Sequence, residues 1–130
     1  MIVNIQKERE VFLFCDFHGH SRKRNSFMYG NLYAANGGFL SWTKIWLLPW
    51  ILARWCEMFN YKGCWFKVEK NKLGTSWVVC WDQLKITNSF TLENSFYGYK
   101  YGEARNTIAY TPSKLEEIGM SLGYSLIELY

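Results

Sequence analysis

Phe14-Cys15-Asp16-Phe17-His18-Gly19-His20-Ser21-Arg22-Lys23-Arg24-Asn25-Ser26-Phe27-Met28-Tyr29-Gly30 sets a histidine at the end of an apolar run, then a glycine, a second histidine and three consecutive cations. Val11 to Phe14 read as a buried strand reaching about Asp16, and Gly19 ends it. Polar side chains at a strand tip are where open α/β sheets place their sites. The stretch predicts a strand whose end carries chemistry, followed by a polar and aromatic loop from Ser21 to Gly38.

Outward from that strand, residues up to Glu10 read as the tail of a helix. Leu40 to Phe59 read mostly as helix, with Pro49 either starting it or kinking it. Trp42, Trp46 and Trp50 follow at i, i+4 spacing, and Leu47, Ile51 and Trp55 widen that apolar face. Strand-like runs follow at Cys64 to Val68, Trp77 to Trp81 and Ser89 to Ser95, with Asn71 to Thr75 as the turn between the first two. The chain ends in a helix. Thr111 or Ser113 can cap it, Pro112 suits its first turn, and Ser113-Lys114-Leu115-Glu116 has the form of a capping box. Leu115, Ile118, Leu122, Leu126 and Leu129 give it one apolar stripe. Strands alternating with helices predict α/β layering.

The 130 residues suit one domain, and 49% hydrophobic with 20% charged residues is a globular composition. Seven Trp, nine Tyr and nine Phe point to a core or interface built on large flat side chains. A net charge of +4 favours acidic partners without choosing among them. The four cysteines, at 15, 56, 64 and 80, lack CxxC spacing, which argues against a zinc finger. Met1 to Arg9 lacks the apolar core of a signal peptide, so free thiols in a reducing cytosol are expected. Ile45 to Ala53 is too short an apolar run to span a bilayer.

His18 is the first candidate for chemistry, since a neutral imidazole binds zinc. A single histidine at a strand end is more often a hydrogen-bonded structural group. Glu93 is the second. Amid Phe90, Leu92 and Phe96 its charged form is disfavoured, which suits proton transfer. Strict alternation, however, puts Phe90, Leu92, Asn94 and Phe96 on one face and Thr91, Glu93 and Ser95 on the other. By that pattern alone Glu93 reads as exposed. Arg22, Lys23 and Arg24 could hold a carboxylate, although three adjacent charges usually form a solvated loop. Three cations and a modest net charge are a weak basis for nucleic-acid binding. The Trp-rich helix has too few basic flanks to lie on a membrane. No P-loop, GxGxxG or GxSxG motif occurs.

Three blocks resemble the cytosolic carboxypeptidase branch of the zinc carboxypeptidases, in family order: Val11 to Gly30, Cys64 to Thr75, and Asn88 to Phe96. The resemblance covers nearly the whole chain and implies that residues 1–130 form the C-terminal half of a catalytic domain. The fold would be a partial zinc-carboxypeptidase fold, a mixed sheet with flanking helices and no N-terminal half. It implies metal-assisted removal of C-terminal residues, glutamates above all, from proteins such as tubulin. Placement in the cytoplasm, with association to cytoskeleton or cilium, would follow. By motif match His18 would be the third zinc ligand and Glu93 the general base, and the match turns Glu93 into the cleft. Arg22, Lys23, Arg24 and Trp77 would be candidate substrate contacts. The family's H-x-x-E motif, which supplies the other two zinc ligands, has no counterpart in Met1 to Phe17. The family commonly has Gly-Thr-x-Arg where this chain has Gly74-Thr75-Ser76-Trp77, which weighs against a glutamate preference. The missing zinc ligands predict no hydrolysis by the chain alone. Two alternatives follow: a non-catalytic binding module acting through protein contacts, or half of an enzyme completed by another chain.

Overall fold

The computed structural model describes residues 1–32, 38–102 and 105–130; the side chains of residues 38–42 lie outside that description. A one-turn helix, α1 (Ile2–Ile5), leads through turns to β1 (Leu13–His20). The expected helix tail is therefore a single turn, and the strand runs four residues past Asp16, through Gly19. Gly19 does not end it because the ladder with the central strand continues through Gly19 and His20, and the Phe96 ring packs over the space its missing side chain leaves.

The chain turns at Asn25, whose φ of 65° places it in the left-handed region that asparagine tolerates. Asn25 is fixed there from both sides: its Nδ2 donates to Lys100 O at 2.9 Å and its Oδ1 accepts from Lys100 N at 3.1 Å. β2 (Ser26–Tyr29) follows, inside the stretch expected to be loop. Four residues are too few for periodicity to reveal, yet Ser26, Phe27 and Met28 are buried. The glycine at position 37 lies outside the described residues.

α2 (Gly38–Trp55) contains Pro49 in its interior, at the loss of one intrahelical hydrogen bond. Its buried stripe is Ile45, Leu48, Pro49 and Leu52, not the tryptophan row. Trp50, Trp55 and Leu47 are each more than 40% exposed, while Ile51 is buried and Trp46 half-buried. The Trp42 side chain lies outside the described residues. A helix apolar on nearly every side gives spacing no preferred face, and packing then decides.

Cys64 to Val68 forms no full strand. It runs beside β2, with Trp65 N donating to Met28 O at 2.9 Å and Gly30 N to Trp65 O at 3.1 Å, but only one bridge closes. Trp77 to Trp81 belongs to a helix, α3 (Ser76–Asp82), and not to the expected strand. The β-branched and aromatic residues there are overridden by tertiary contacts. Asn31 Nδ2 and Ser89 Oγ donate to the Trp77 carbonyl at 3.3 and 2.6 Å.

β3 (Asn88–Ser95) occupies the centre of the sheet, in the order β1-β3-β2, parallel to β1 and antiparallel to β2. α4 (Pro112–Leu129) begins as expected at Thr111, whose Oγ1 accepts from Lys114 N at 3.3 Å. Ser113 is not the cap. Ile118 and Leu122 are buried, Leu126 and Leu129 pack partly against the core, and Leu115 is exposed. α4 lies against α2, where Glu128 receives Arg54 Nη1 and Trp55 Nε1, each at 2.7 Å. The core joins Met28, Phe90 and Leu92 of the sheet to Ile45, Leu48 and Leu52 of α2 and Ile118 and Leu122 of α4. A mixed sheet with flanking helices is the architecture the sequence predicts.

Candidate functional site

β1 and β3 pair so that His18 lies opposite Glu93, Asp16 opposite Thr91, and His20 opposite Ser95. Side chains alternate along a strand, and partners in register share a face. One face therefore presents Asp16, His18 and His20 beside Thr91, Glu93 and Ser95. β2 adds Phe27 opposite Glu93 and Tyr29 opposite Thr91.

A pocket of about 330 Å³ opens over this face. Its sheet wall is Asp16, His18, Thr91, Glu93 and Tyr29; Trp65, Trp77, Thr75 and Ser76 close other sides, with Lys67, Glu69 and Lys72 among its lining. Trp77 and Tyr29 lie nearly parallel, 21° apart, with ring centroids separated by 6.4 Å. His18 and Glu93, predicted from separate blocks of sequence, are thus brought to one cavity, and Trp77 joins them.

Glu93 is 8% exposed, against the expectation from alternation alone. The alternation itself is right. The error is to equate the non-core face with solvent, because β3 is central and covered on both sides. Glu93 Oε2 and Thr91 Oγ1 are both buried with no hydrogen-bond partner. Buried polar atoms are ordinarily satisfied, so two orphans on one face of one strand mark a surface shaped for something other than packing.

His18 behaves differently. Its side chain is 64% exposed, and its Nδ1 lies 3.8 Å from Asp16 Oδ2. His20 is held by the loop that follows: its Nδ1 accepts from the Arg22 and Lys23 amides at 3.1 and 3.0 Å. That fixes Nδ1 as an acceptor. Burial pushes the His20 imidazole below its usual range, while the Glu93 charge acts in the opposite sense.

The cationic loop is not brought to the pocket. Arg22, Lys23 and Arg24 are exposed and form no part of its lining. Lys23 turns to the neighbouring rings, with Nζ 4.5 Å from the Phe27 centroid and donating to Gly63 O at 3.2 Å. Sequence reasoning missed Asp16, Thr91 and Tyr29. The first two stand two residues before His18 and Glu93, so the strand period alone could have found them.

Among the described residues no three His, Cys, Asp or Glu side chains gather in a way that could hold a metal ion. A catalytic zinc takes three protein ligands. His18 is one imidazole, so the described residues do not by themselves fit the ion.

Cytosolic carboxypeptidase 2 of Macaca fascicularis is 39% identical to this chain over 129 residues, covering 98% of the chain and 15% of that protein. Cytosolic carboxypeptidase 3 of Mus musculus is 41% identical over 134 residues, covering 98% of the chain and 13% of that protein. The chain therefore spans about one seventh of the length of these relatives. A metallo-carboxypeptidase from Burkholderia cenocepacia superposes with a TM-score of 0.73 at 12% identity, over 97% of this chain and 32% of that one. At that identity the likeness is one of fold. No family model matches the chain. No helix among the described residues is long and apolar enough to cross a membrane.

Proposed function

We propose, from the premise that this chain belongs with the cytosolic carboxypeptidases in sequence, that it forms one wall of a peptide C-terminus hydrolase site. The observation that carries this reading is the juxtaposition of His18 and Glu93, in register on adjacent strands and lining one pocket. In it, the unpartnered Oε2 of Glu93 accepts a proton from a water held in the pocket and returns it to the leaving amine. His18, exposed at the wall, would be one ligand of a shared zinc, and the other two would come from a second polypeptide carrying the H-x-x-E segment. Asp16, with Oδ2 3.8 Å from Nδ1, is beyond hydrogen-bond reach of the imidazole and acts on it only as a nearby charge. Arg22, Lys23 and Arg24 would steer acidic protein tails such as those of tubulin toward the site without gripping the terminal residue. The place of action would be the cytoplasm, at the cytoskeleton or cilium.

The chain alone, with one donor imidazole, would bind zinc weakly and hydrolyse nothing, because affinity comes from several ligands fixed together. Zinc titration by calorimetry tests this, and tight one-to-one binding by the isolated chain would overturn it. Mixing the chain with a second polypeptide carrying the H-x-x-E segment of a relative should yield release of C-terminal residues. In that mixture Glu93→Gln should abolish release; undiminished activity would remove Glu93 from the mechanism.

A further inference from the structure

On the proposed reading the terminal side chain would enter the same pocket, and its lining bears on which side chain it accepts. Tyr29 and Trp77 stack in parallel along it, and Trp65, half exposed, adds a third ring. Trp77 is only 6% exposed, so its indole is a fixed wall that cannot swing aside. Among the described residues that line it there is no arginine, so this wall offers no bidentate grip for a carboxylate. Lys67, Lys72 and Glu69 are exposed, where water screens them, and the less exposed charged groups of the lining, Asp16 and Glu93, are both carboxylates. A glutamate side chain entering here would lose water, meet a net negative lining and gain no fixed cation. A flat apolar side chain would lose little and meet three rings at their faces or edges. The volume, about 330 Å³, is at the small end for ligand pockets and suits a single large side chain.

We infer that the pocket walled by Tyr29, Trp65 and Trp77 selects an aromatic or large apolar C-terminal residue and rejects glutamate. The inference rests on the proposed hydrolase reading for the word C-terminal, but its side-chain preference stands on the lining alone. Trp65 and Trp77 are specificity residues, since their rings wall the pocket.

Binding to the isolated, isotopically labelled chain tests this without requiring turnover. Acetyl-Gly-Phe and acetyl-Gly-Glu, each as free acid and as amide, are titrated while the indole N–H resonances of Trp65 and Trp77 are followed. The phenylalanine peptides should shift both resonances and bind roughly tenfold or more tightly than the glutamate peptides. Trp65→Ala, at a half-exposed position that leaves the core intact, should weaken the phenylalanine peptide several-fold. Trp77→Arg should narrow or reverse the preference. Equal or tighter binding of the glutamate peptide would overturn the inference, and so would the absence of any shift at Trp65 and Trp77 with the phenylalanine peptides. If phenylalanine acid and amide bind alike, the side-chain preference holds while the C-terminal reading loses its support, so the two claims fail separately.

Discussion

Replacing Glu93 by methionine should make this protein more stable. The carboxylate is 8% exposed, and its Oε2 is buried without a partner. A buried polar atom left unsatisfied costs about 1–3 kcal/mol, and more when the group is charged. Methionine has a similar length, no hydrogen-bond requirement and enough flexibility to follow the existing contour. Its neighbours across the ladder are Phe27, itself fully buried, and His18, so an apolar side chain meets an apolar surface on one side. The expected gain is therefore about 1–3 kcal/mol. At this chain length each kcal/mol moves the midpoint by about 4 °C, giving a rise of about 4–12 °C. The assay is thermal unfolding followed by far-ultraviolet circular dichroism, with reversibility checked by rescanning. A carboxylate that serves the fold would give the opposite sign. A midpoint that falls or does not move would refute the reasoning and, with it, the claim that Glu93 is held in readiness for a ligand at some cost to stability.

Thr91→Val, which removes the other orphaned oxygen on the same face, should raise the midpoint by about 1–2 kcal/mol equivalent, and a loss would show that Oγ1 is satisfied in solution. Gly98→Ala should cost about 3 kcal/mol or more in a denaturant melt, since its φ is +99° and a Cβ there would strike the Ile108 carbonyl; a change under about 1 kcal/mol would refute this. Burial pushes the Cys15 and Cys64 thiols up to about 12 from 9.0, so the folded chain keeps protons that the unfolded chain gives up. Stability is then held below about pH 9 and falls as pH rises toward 12, by at most about 1.4 kcal/mol per pH unit for each thiol. Melts between about pH 8 and about pH 10.5 that show no decline would contradict that linkage.

What the sequence disclosed, and what it withheld, follow from how each element is held. β3 and α4 were legible as elements because local signals mark them: Phe90 and Leu92 alternate into the core, although burial of β3's other face was not foreseen, and Thr111-Pro112 opens a helix whose Ile118 and Leu122 lie one turn apart. α3 was not legible. Trp77-Val78-Val79-Cys80-Trp81 has strand-like residues, and the groups that anchor its helix, Asn31 and Ser89, come from distant parts of the chain. β2 was hidden for a related reason, being four residues long and made a strand only by its neighbour. Of the residues singled out in the sequence, His18, Glu93 and Trp77 line one pocket, whereas Arg22, Lys23 and Arg24, singled out by charge, stand elsewhere. The covered second face of the sheet was the decisive fact that alternation could not supply, since the period of a strand separates faces without saying what lies over them.

The pairing of His18 with Glu93 is set by main-chain ladder bonds between β1 and β3. Neighbouring strands keep a spacing of about 4.8 Å whatever their side chains are. Insertions at the turn after His20, or rewriting of the segment from Cys64 to Thr75, would therefore leave the distance between imidazole and carboxylate almost untouched. Divergent copies of such a chain could trade away one pocket surface for another while the imidazole and the carboxylate kept their register, because their ruler is the polypeptide backbone.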